Sequence, residues 1–284
     1  MPLEGRGGYY SRTRGVLEWV VGQVWRGGWG PELLQRVGLG GSVRVVSERI
    51  TIDEKRWPQG TRPLRVGFVS DLHAGLTTHP DLIREAITRV RELEADVVLL
   101  GGDYVYLDAT HLEVVAAELE KIDAPLGRFA VMGNHDLWAD DRAITERLER
   151  ASFRVLVNES VPLPAPFDFI SVCGLDDPWT GIRDPKRAFD QARDVRIVLV
   201  HSPRAIEIMG DERFDVMVCG HTHGGHIALP GSVPIVTVGG KYQYGRYDIG
   251  DGRTLVVSRG VGGTEVPLRT FANPDVISLT IGPA

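Results

Sequence analysis

Leu64-Arg65-Val66-Gly67-Phe68-Val69-Ser70-Asp71-Leu72-His73 sets a pattern that recurs along the chain: a short apolar run, then acid or imidazole side chains. Val97-Val98-Leu99-Leu100 precedes Asp103, and Phe129-Ala130-Val131-Met132 precedes Asn134. Ile197-Val198-Leu199-Val200 leads into His201, and Phe214 to Cys219 leads into His221. Brief β-branched runs bounded by Gly and polar residues predict strands covered on both faces. Between the first three runs, Leu82, Ile83, Ala86, Ile87, Val90 and Leu93 recur with helical spacing, as do Leu112, Val115, Ala116, Leu119 and Ile122. Strand, helix, strand is the βαβ unit, whose ligands collect beyond the carboxyl ends of the strands. Asp71 and Asp103 stand 32 residues apart, and Asp103 and Asn134 31 apart. That is one βαβ repeat, so the three motifs are expected side by side on one edge.

The residue types point to metal chemistry. Carboxylate oxygen and imidazole nitrogen suit hard or borderline divalent cations. Asp103 has two oxygens and is suited to bridge two cations. Asn134 adds a neutral oxygen that leaves the cluster charge unquenched. His221 and His223 flank Thr222 in an expected extended turn, so their rings can reach different metals. The glycines around them allow close backbone approach. Two cations about 3.5–4 Å apart are the usual device for attacking a phosphorus ester. Each piece also has a plain reading: Asp-x-His as a surface pair or cap, Gly-Gly-Asp as a turn, His201 as a structural strand-end residue. Their joint occurrence in this order, each at a strand end, favours the site.

The series Asp71-Leu72-His73, Gly102-Asp103, Gly133-Asn134-His135-Asp136, His201 and Gly220-His221-Thr222-His223 resembles the calcineurin-like metallophosphoesterase superfamily, over roughly residues 60 to 281. The resemblance implies a four-layer α/β/β/α sandwich of two mixed sheets, with a dimetal site at the carboxyl-terminal edge of the strands. It implies that Asp71, His73, Asp103 and His223 hold one metal, and Asp103, Asn134, His201 and His221 the other. His135 would face the phosphate rather than a metal. The runs Gly220 to Pro230, Ser258 to Gly262, Pro267-Leu268-Arg269 and Gly174 to Asp177 are similar to bacterial single-domain, often membrane-attached phosphohydrolases. That branch commonly has Gln at the position of His226, a departure at the site rim.

The resemblance implies a phosphoester hydrolase of phosphodiesterase or pyrophosphatase type, with a hydroxide bridging two divalent metals as nucleophile. Mn, Fe, Zn and Co all suit such ligands. His135 is placed to serve the leaving oxygen. Asp136 either orients His135 or caps the following helix. Substrates fall in two classes: a soluble phosphodiester, or a lipid-linked nucleotide such as a UDP-diacylglucosamine cut at its pyrophosphate. A catalytically silent binding module is the alternative from another class, disfavoured because the full ligand set is present.

The chain has 284 residues, 43% of them hydrophobic, enough for one sizeable domain with a small extension. Its net charge of −6 argues against a long nucleic-acid partner. Cys173 and Cys219, each at the end of an apolar run, read as small buried hydrophobes and suit a reducing cytoplasm. Residues 1–41 differ from the catalytic region 42–284. The first 40 carry three of the six tryptophans and five Arg against three Glu. Leu17, Val20, Val21 and Val24 share one helical face, and Gly27-Gly28-Trp29-Gly30-Pro31 stops the helix. The apolar run is too short and polar to span a bilayer, and no secretory signal is expected. Two readings stand: the apolar face packs on the domain, or it lies on a membrane surface with Trp at the interface. Residues 43–53 predict an added strand. His79 and His111 read as loop and cap residues. Trp138 and Trp179 are read as pocket lining or as cover for core edges, and Arg269 as a phosphate contact or a surface ion pair.

Overall fold

The computed structural model describes residues 12–106, 108–235, 237 and 240–283. The part of the N-terminal extension over residues 1–11 lies outside them. The strands are β1 (Arg44–Thr51), β2 (Leu64–Val69), β3 (Val97–Leu100), β4 (Gly127–Ala130), β5 (Arg154–Val155), β6 (Glu159–Pro162), β7 (Ile170–Gly174), β8 (Val195–Leu199), β9 (Val216–Cys219), β10 (Ala228–Leu229), β11 (Val233–Pro234), β12 (Gly245–Asp248), β13 (Thr254–Val257) and β14 (Asp275–Gly282). The helices are α1 (Arg12–Val24), α2 (Trp29–Arg36), α3 (Pro80–Glu92), α4 (Leu112–Leu119), α5 (Asn134–Ala139), α6 (Asp141–Arg150) and α7 (Pro185–Phe189).

Two six-stranded sheets result. One has the order β1-β14-β2-β3-β4-β5, the other β12-β13-β9-β8-β7-β6. In the first, β2 through β5 run parallel and β14 pairs antiparallel with β2. In the second, β13, β9, β8 and β7 run parallel, with antiparallel strands at both edges.

Side-chain alternation within the strands builds the layers. Val97 and Leu99 of β3 face the second sheet, whereas Val98 and Leu100 face helices α3, α4 and α6. On β8, Ile197 and Leu199 face the first sheet, and Val198 packs with Met217, Ala205 and Phe189 on the outer side. Burial on both faces is why these runs are continuously apolar instead of alternating with polar residues. The three cores fill the interfaces of a four-layer α/β/β/α sandwich, as the resemblance implied.

Helix α3 is set by its sequence. His79 caps it, its ring nitrogen accepting from Asp81 N–H at 3.2 Å, and Pro80 occupies the first helical turn. The expected strand over 43–53 is β1, paired in parallel with β14. One boundary moved: β4 ends at Ala130, and Val131 to Gly133 form the loop that carries the site, although Val131 N–H still donates to Leu100 O at 3.1 Å.

The N-terminal helix departs from expectation. Its inward face is Arg14, Glu18 and Val21, while Leu17, Val20 and Val24 are 43%, 42% and 46% exposed. Of the apolar face expected to pack, only Val21 is buried. Arg14 and Glu18 replace it because the surface beneath is polar: Arg14 bonds Glu18 at 2.7 Å and Glu265 at 3.1 Å. Further ties join Trp25 Nε1 to Glu265 O at 2.9 Å and Glu32 to His79 at 3.0 Å. Among the described residues, no helix is long and apolar enough to cross a membrane.

Candidate metal centre

All seven ligand candidates lie just past strand ends of both sheets. Asp71 and His73 follow β2, Asp103 follows β3, and Asn134 opens α5 beyond β4. His201 follows β8, and His221 and His223 follow β9. Backbone bonds within the first sheet fix the loops: Asp71 N–H to Gly102 O at 2.9 Å, and His73 N–H to Asp103 O at 3.0 Å. Other bonds cross between the sheets. His221 N–H donates to Asp71 Oδ1 at 3.0 Å, and His201 Nδ1 meets Gly101 O at 2.8 Å. The latter bond puts the His201 proton on Nδ1 and leaves Nε2 as a ligand atom.

Three overlapping groups bring ligand atoms within 4.8 Å of one another: Asp71, His73 and His223; Asp103, His201 and His221; and His73, Asp103 and His135. Asp103 Oδ2 is 3.4 Å from His73 Nε2 and 3.3 Å from His201 Nε2, one oxygen between two histidine groups. Asp71 Oδ1 is 3.4 Å from His223 Nε2. The arrangement fits cations better than it fits hydrogen bonding. His73 Nε2 faces His223 Nε2 at 3.1 Å, and His201 Nε2 faces His221 Nδ1 at 3.1 Å. A neutral imidazole carries one N–H, so such pairs share at most one proton, and a cation would satisfy both lone pairs. Asn134 Oδ1 and His73 Nδ1 are buried without a hydrogen-bond partner. Unsatisfied buried polar atoms are costly in a fold without a ligand for them.

The backbone is strained at the same places. Asp71, His73, Asp103, His221 and His223 have φ of 54°, 43°, 55°, 72° and 52°. The left-handed region costs non-glycine residues about 1–3 kcal/mol each, and such strain gathers at functional sites. Glycine is required next to them: a Cβ on Gly220 would overlap Asp71 Oδ2 and Ser70 Oγ. The close approach expected around the paired histidines is thus met at Gly220.

Charge is tightly organised. Burial pushes the Asp71 carboxyl up to about 6. Burial acts on Asp103 too, but His201 and His135 hold its carboxyl well below the usual range. Burial works against protonating His201, yet Asp103, Asp71 and Asp177 raise it well above an ordinary histidine. Burial drives His73 and His223 well down, and with His201 drives His221 down to about 3. Neutral imidazoles are the form that binds cations.

His135 lies at one side of this cluster, its ring stacked with Tyr106 at 5.0 Å and edge-on to Trp138 at 5.1 Å. Its Nδ1 meets Tyr106 O at 2.5 Å, and its Nε2 meets Arg14 Nη2 at 3.1 Å. Asp136 makes no bond to His135. Its carboxylate accepts from Gly133 N–H at 2.9 Å, Asp103 N–H at 2.7 Å and Tyr104 N–H at 2.8 Å. Of its two expected roles the geometry fits the cap, with the β3 loop tied in as well. Burial and Asp103 push the Asp136 carboxyl up to about 8.

Other expectations are corrected. Among the described residues Arg269 makes no ion pair, against the surface ion-pair reading; its half-buried guanidinium donates to the carbonyls of Ala272, Gly262, His223 and Arg259 and lies 3.3 Å from His223 Nδ1, beside the ligand cluster. It clamps the β13 loop to His223, and burial lowers its pKa to about 10. Trp138 is in α5, 4% exposed, and meets Trp179 at 5.6 Å; Trp179 meets His221 at 5.9 Å. His226 is at the rim, with Nε2 on Val266 O at 3.0 Å. Arg14 was missed. Its signal was the Arg14/Glu18 pair at helical i,i+4 spacing, in register with Val21.

A family model described as calcineurin-like phosphoesterase matches residues 64–225. The phosphodiesterase YaeI of Escherichia coli is 34% identical over 225 residues, 77% of this chain and 82% of that protein. An uncharacterized metallophosphoesterase of Aquifex aeolicus is 32% identical over 244 residues, 82% of this chain and 90% of that protein. A dimetal phosphatase structure from Danio rerio superposes with a TM-score of 0.47 at 12% identity, covering 71% of this chain and 88% of that one. The sequence matches span more than half of the chain and include the strand-end motifs. The chain therefore belongs to the calcineurin-like phosphoesterase family and is a metal-dependent phosphoester hydrolase.

Proposed function

We propose that the chain is a dinuclear phosphodiesterase. The observation that carries this reading is Asp103 Oδ2, at 3.4 and 3.3 Å from a histidine of each ligand group. Asp71, His73, Asp103 and His223 would hold one divalent cation, and Asp103, Asn134, His201 and His221 the other, with Mn, Fe, Zn and Co all compatible. When bound, the two cations supply an acidified water as nucleophile and offset charge on the phosphoryl oxygens. The chain's own residues do the rest. Ser70, whose Oγ donates to Asp71 Oδ2 at 2.5 Å, orients that carboxylate. Asp136 holds the β3 and β4 loops in register through their backbone N–H groups. His135 stands beside the ligand cluster, where it serves the leaving oxygen. Trp138 and Trp179 wall the same side and exclude water.

A lipid-linked phosphoester is the second reading, favoured by a specific observation. The helix above the site turns outward Val16 at 64%, Leu17 at 43%, Trp19 at 66% and Val24 at 46% exposure, with Trp29 at 51%. Exposed Trp and aliphatic residues on a short helix, in a segment carrying five Arg against three Glu, match the charge and depth of an anionic bilayer surface. Such contact places the site beside lipid headgroups.

The test is turnover of a chromogenic phosphodiester by metal-loaded protein, followed by a panel of nucleotide and lipid pyrophosphates with product analysis. Metal-dependent hydrolysis with two cations per chain is expected. One cation per chain at full activity would overturn the dinuclear reading. Equal turnover of lipid-linked and soluble esters, with or without vesicles, would remove the second.

A further inference from the structure

The N-terminal helix contributes an arginine to the site. Arg14 is in the first turn of α1, and its Nη2 lies 3.1 Å from His135 Nε2. Its guanidinium carbon sits 5.3 Å over the Trp138 ring, and Glu18 and Glu265 grip the other guanidinium nitrogens at 2.7 and 3.1 Å. His135 Nδ1 faces the Tyr106 carbonyl at 2.5 Å, so that nitrogen must be the donor. In a neutral ring Nε2 is then a bare acceptor, and Arg14 is the donor that meets it. In that tautomer the N–H group on this side of the cluster belongs to Arg14, and His135 can deliver a proton to a leaving oxygen only after taking one at Nε2.

A guanidinium is permanently charged and is repelled by divalent cations held nearby. His135 offers a ligand atom within 4.8 Å of those of His73 and Asp103, so Arg14 stands one ring away from the ligand set. An anion between the two positive groups turns that repulsion into attraction on both sides. A phosphoryl group has the charge and the fork geometry for it.

We propose that Arg14 is a substrate-binding residue that donates to a non-bridging oxygen of the phosphoryl group, making α1 part of the active site. The proposal rests on the phosphoester hydrolase reading. His135 aligns the guanidinium through Nε2, and Glu18 and Glu265 limit its swing.

The test uses the full chain loaded with metal. Metal content, calorimetric affinity for inorganic phosphate, and KM and kcat on a chromogenic phosphodiester are measured for wild type, Arg14→Gln, Arg14→Lys and Glu32→Gln. Arg14→Gln should keep its metal, weaken phosphate binding by about 10–100-fold and raise KM, the loss of one charged hydrogen bond. Arg14→Lys should recover part of that loss. Glu32→Gln cuts a different tie of the segment, to His79, and should leave phosphate affinity unchanged. Unaltered phosphate affinity in Arg14→Gln, even with a lower melting temperature, would overturn the proposal and make Arg14 a structural strap. If wild type binds phosphate through Arg14 but hydrolyses no ester, the hydrolase reading fails and the anion site stands.

Discussion

Asp103 concentrates more demands than any other side chain in the site. Oδ2 lies between His73 and His201, while Oδ1 accepts from His135 N–H at 2.9 Å. An amide offers one oxygen and no charge, so Asp103→Asn should lose most bound metal and nearly all turnover. Elemental analysis beside a diesterase assay checks this; two metals per chain with near-normal rate would refute the bridging role. His135→Ala should keep its metal and slow esters with poor leaving groups by roughly 10²–10⁴-fold. Comparing poor and good leaving groups separates its functions. A smaller loss for good leaving groups marks proton donation, and an equal loss marks alignment of Arg14. Loss of metal would instead make His135 a ligand, as its place beside His73 and Asp103 allows.

At the scale of elements, helix α1 carries the sharpest prediction. A chain beginning at Ser42 retains β1 and every ligand, since β1 starts at Arg44. It loses buried Val21, which predicts a stability drop of at least about 1.5–3 kcal/mol, read as a lower melting temperature. It should also lose binding to anionic vesicles, measured by sedimentation. Unchanged vesicle binding would end the bilayer reading. This helix also marks where the sequence stopped being legible. Strand ends were readable because burial on both faces leaves an unbroken apolar run, and the site motifs sit at fixed offsets from those runs. For α1, apolar periodicity marks a face that turns outward, against the packing reading: the patch beneath the helix is polar, and only the three-dimensional site shows that Arg14 and Glu18 have partners there. The surface ion pair read for Arg269 falls away for a similar reason, because its partners are carbonyls of Gly262, His223, Arg259 and Ala272, and carbonyls carry no sequence signature. The sequence leaves Asp136 between two roles because a carboxylate that follows a histidine can serve its ring or the helix end.

Across the whole molecule, the strand ends opposite the metal centre are closed by ion pairs. Arg62 forks onto Asp96 at 2.7 and 2.9 Å ahead of β2 and β3, and Asp96 also accepts from Arg65 N–H at 2.9 Å. Arg56, from the loop after β1, reaches Asp215 at 2.5 Å and Asp194 at 3.0 Å, joining the two sheets. Asp96 is 2% exposed, so Asp96→Ala leaves a backbone donor without its acceptor and should cost about 1–3 kcal/mol. Denaturant melts should show that loss while metal content and kcat stay at wild-type values. A fall in metal content would mean that the two ends of the sandwich are coupled.

The two ends differ in how they are held. At the closed end, opposite charges supply the attraction themselves. At the open end, five residues with φ between 43° and 72° keep lone pairs aimed at one another. That end is like the jaws of a vice fixed in place by the rest of the frame. The frame, rather than any charge pair, therefore sets where these lone pairs point, and loosening the frame should scatter them even with every ligand residue kept.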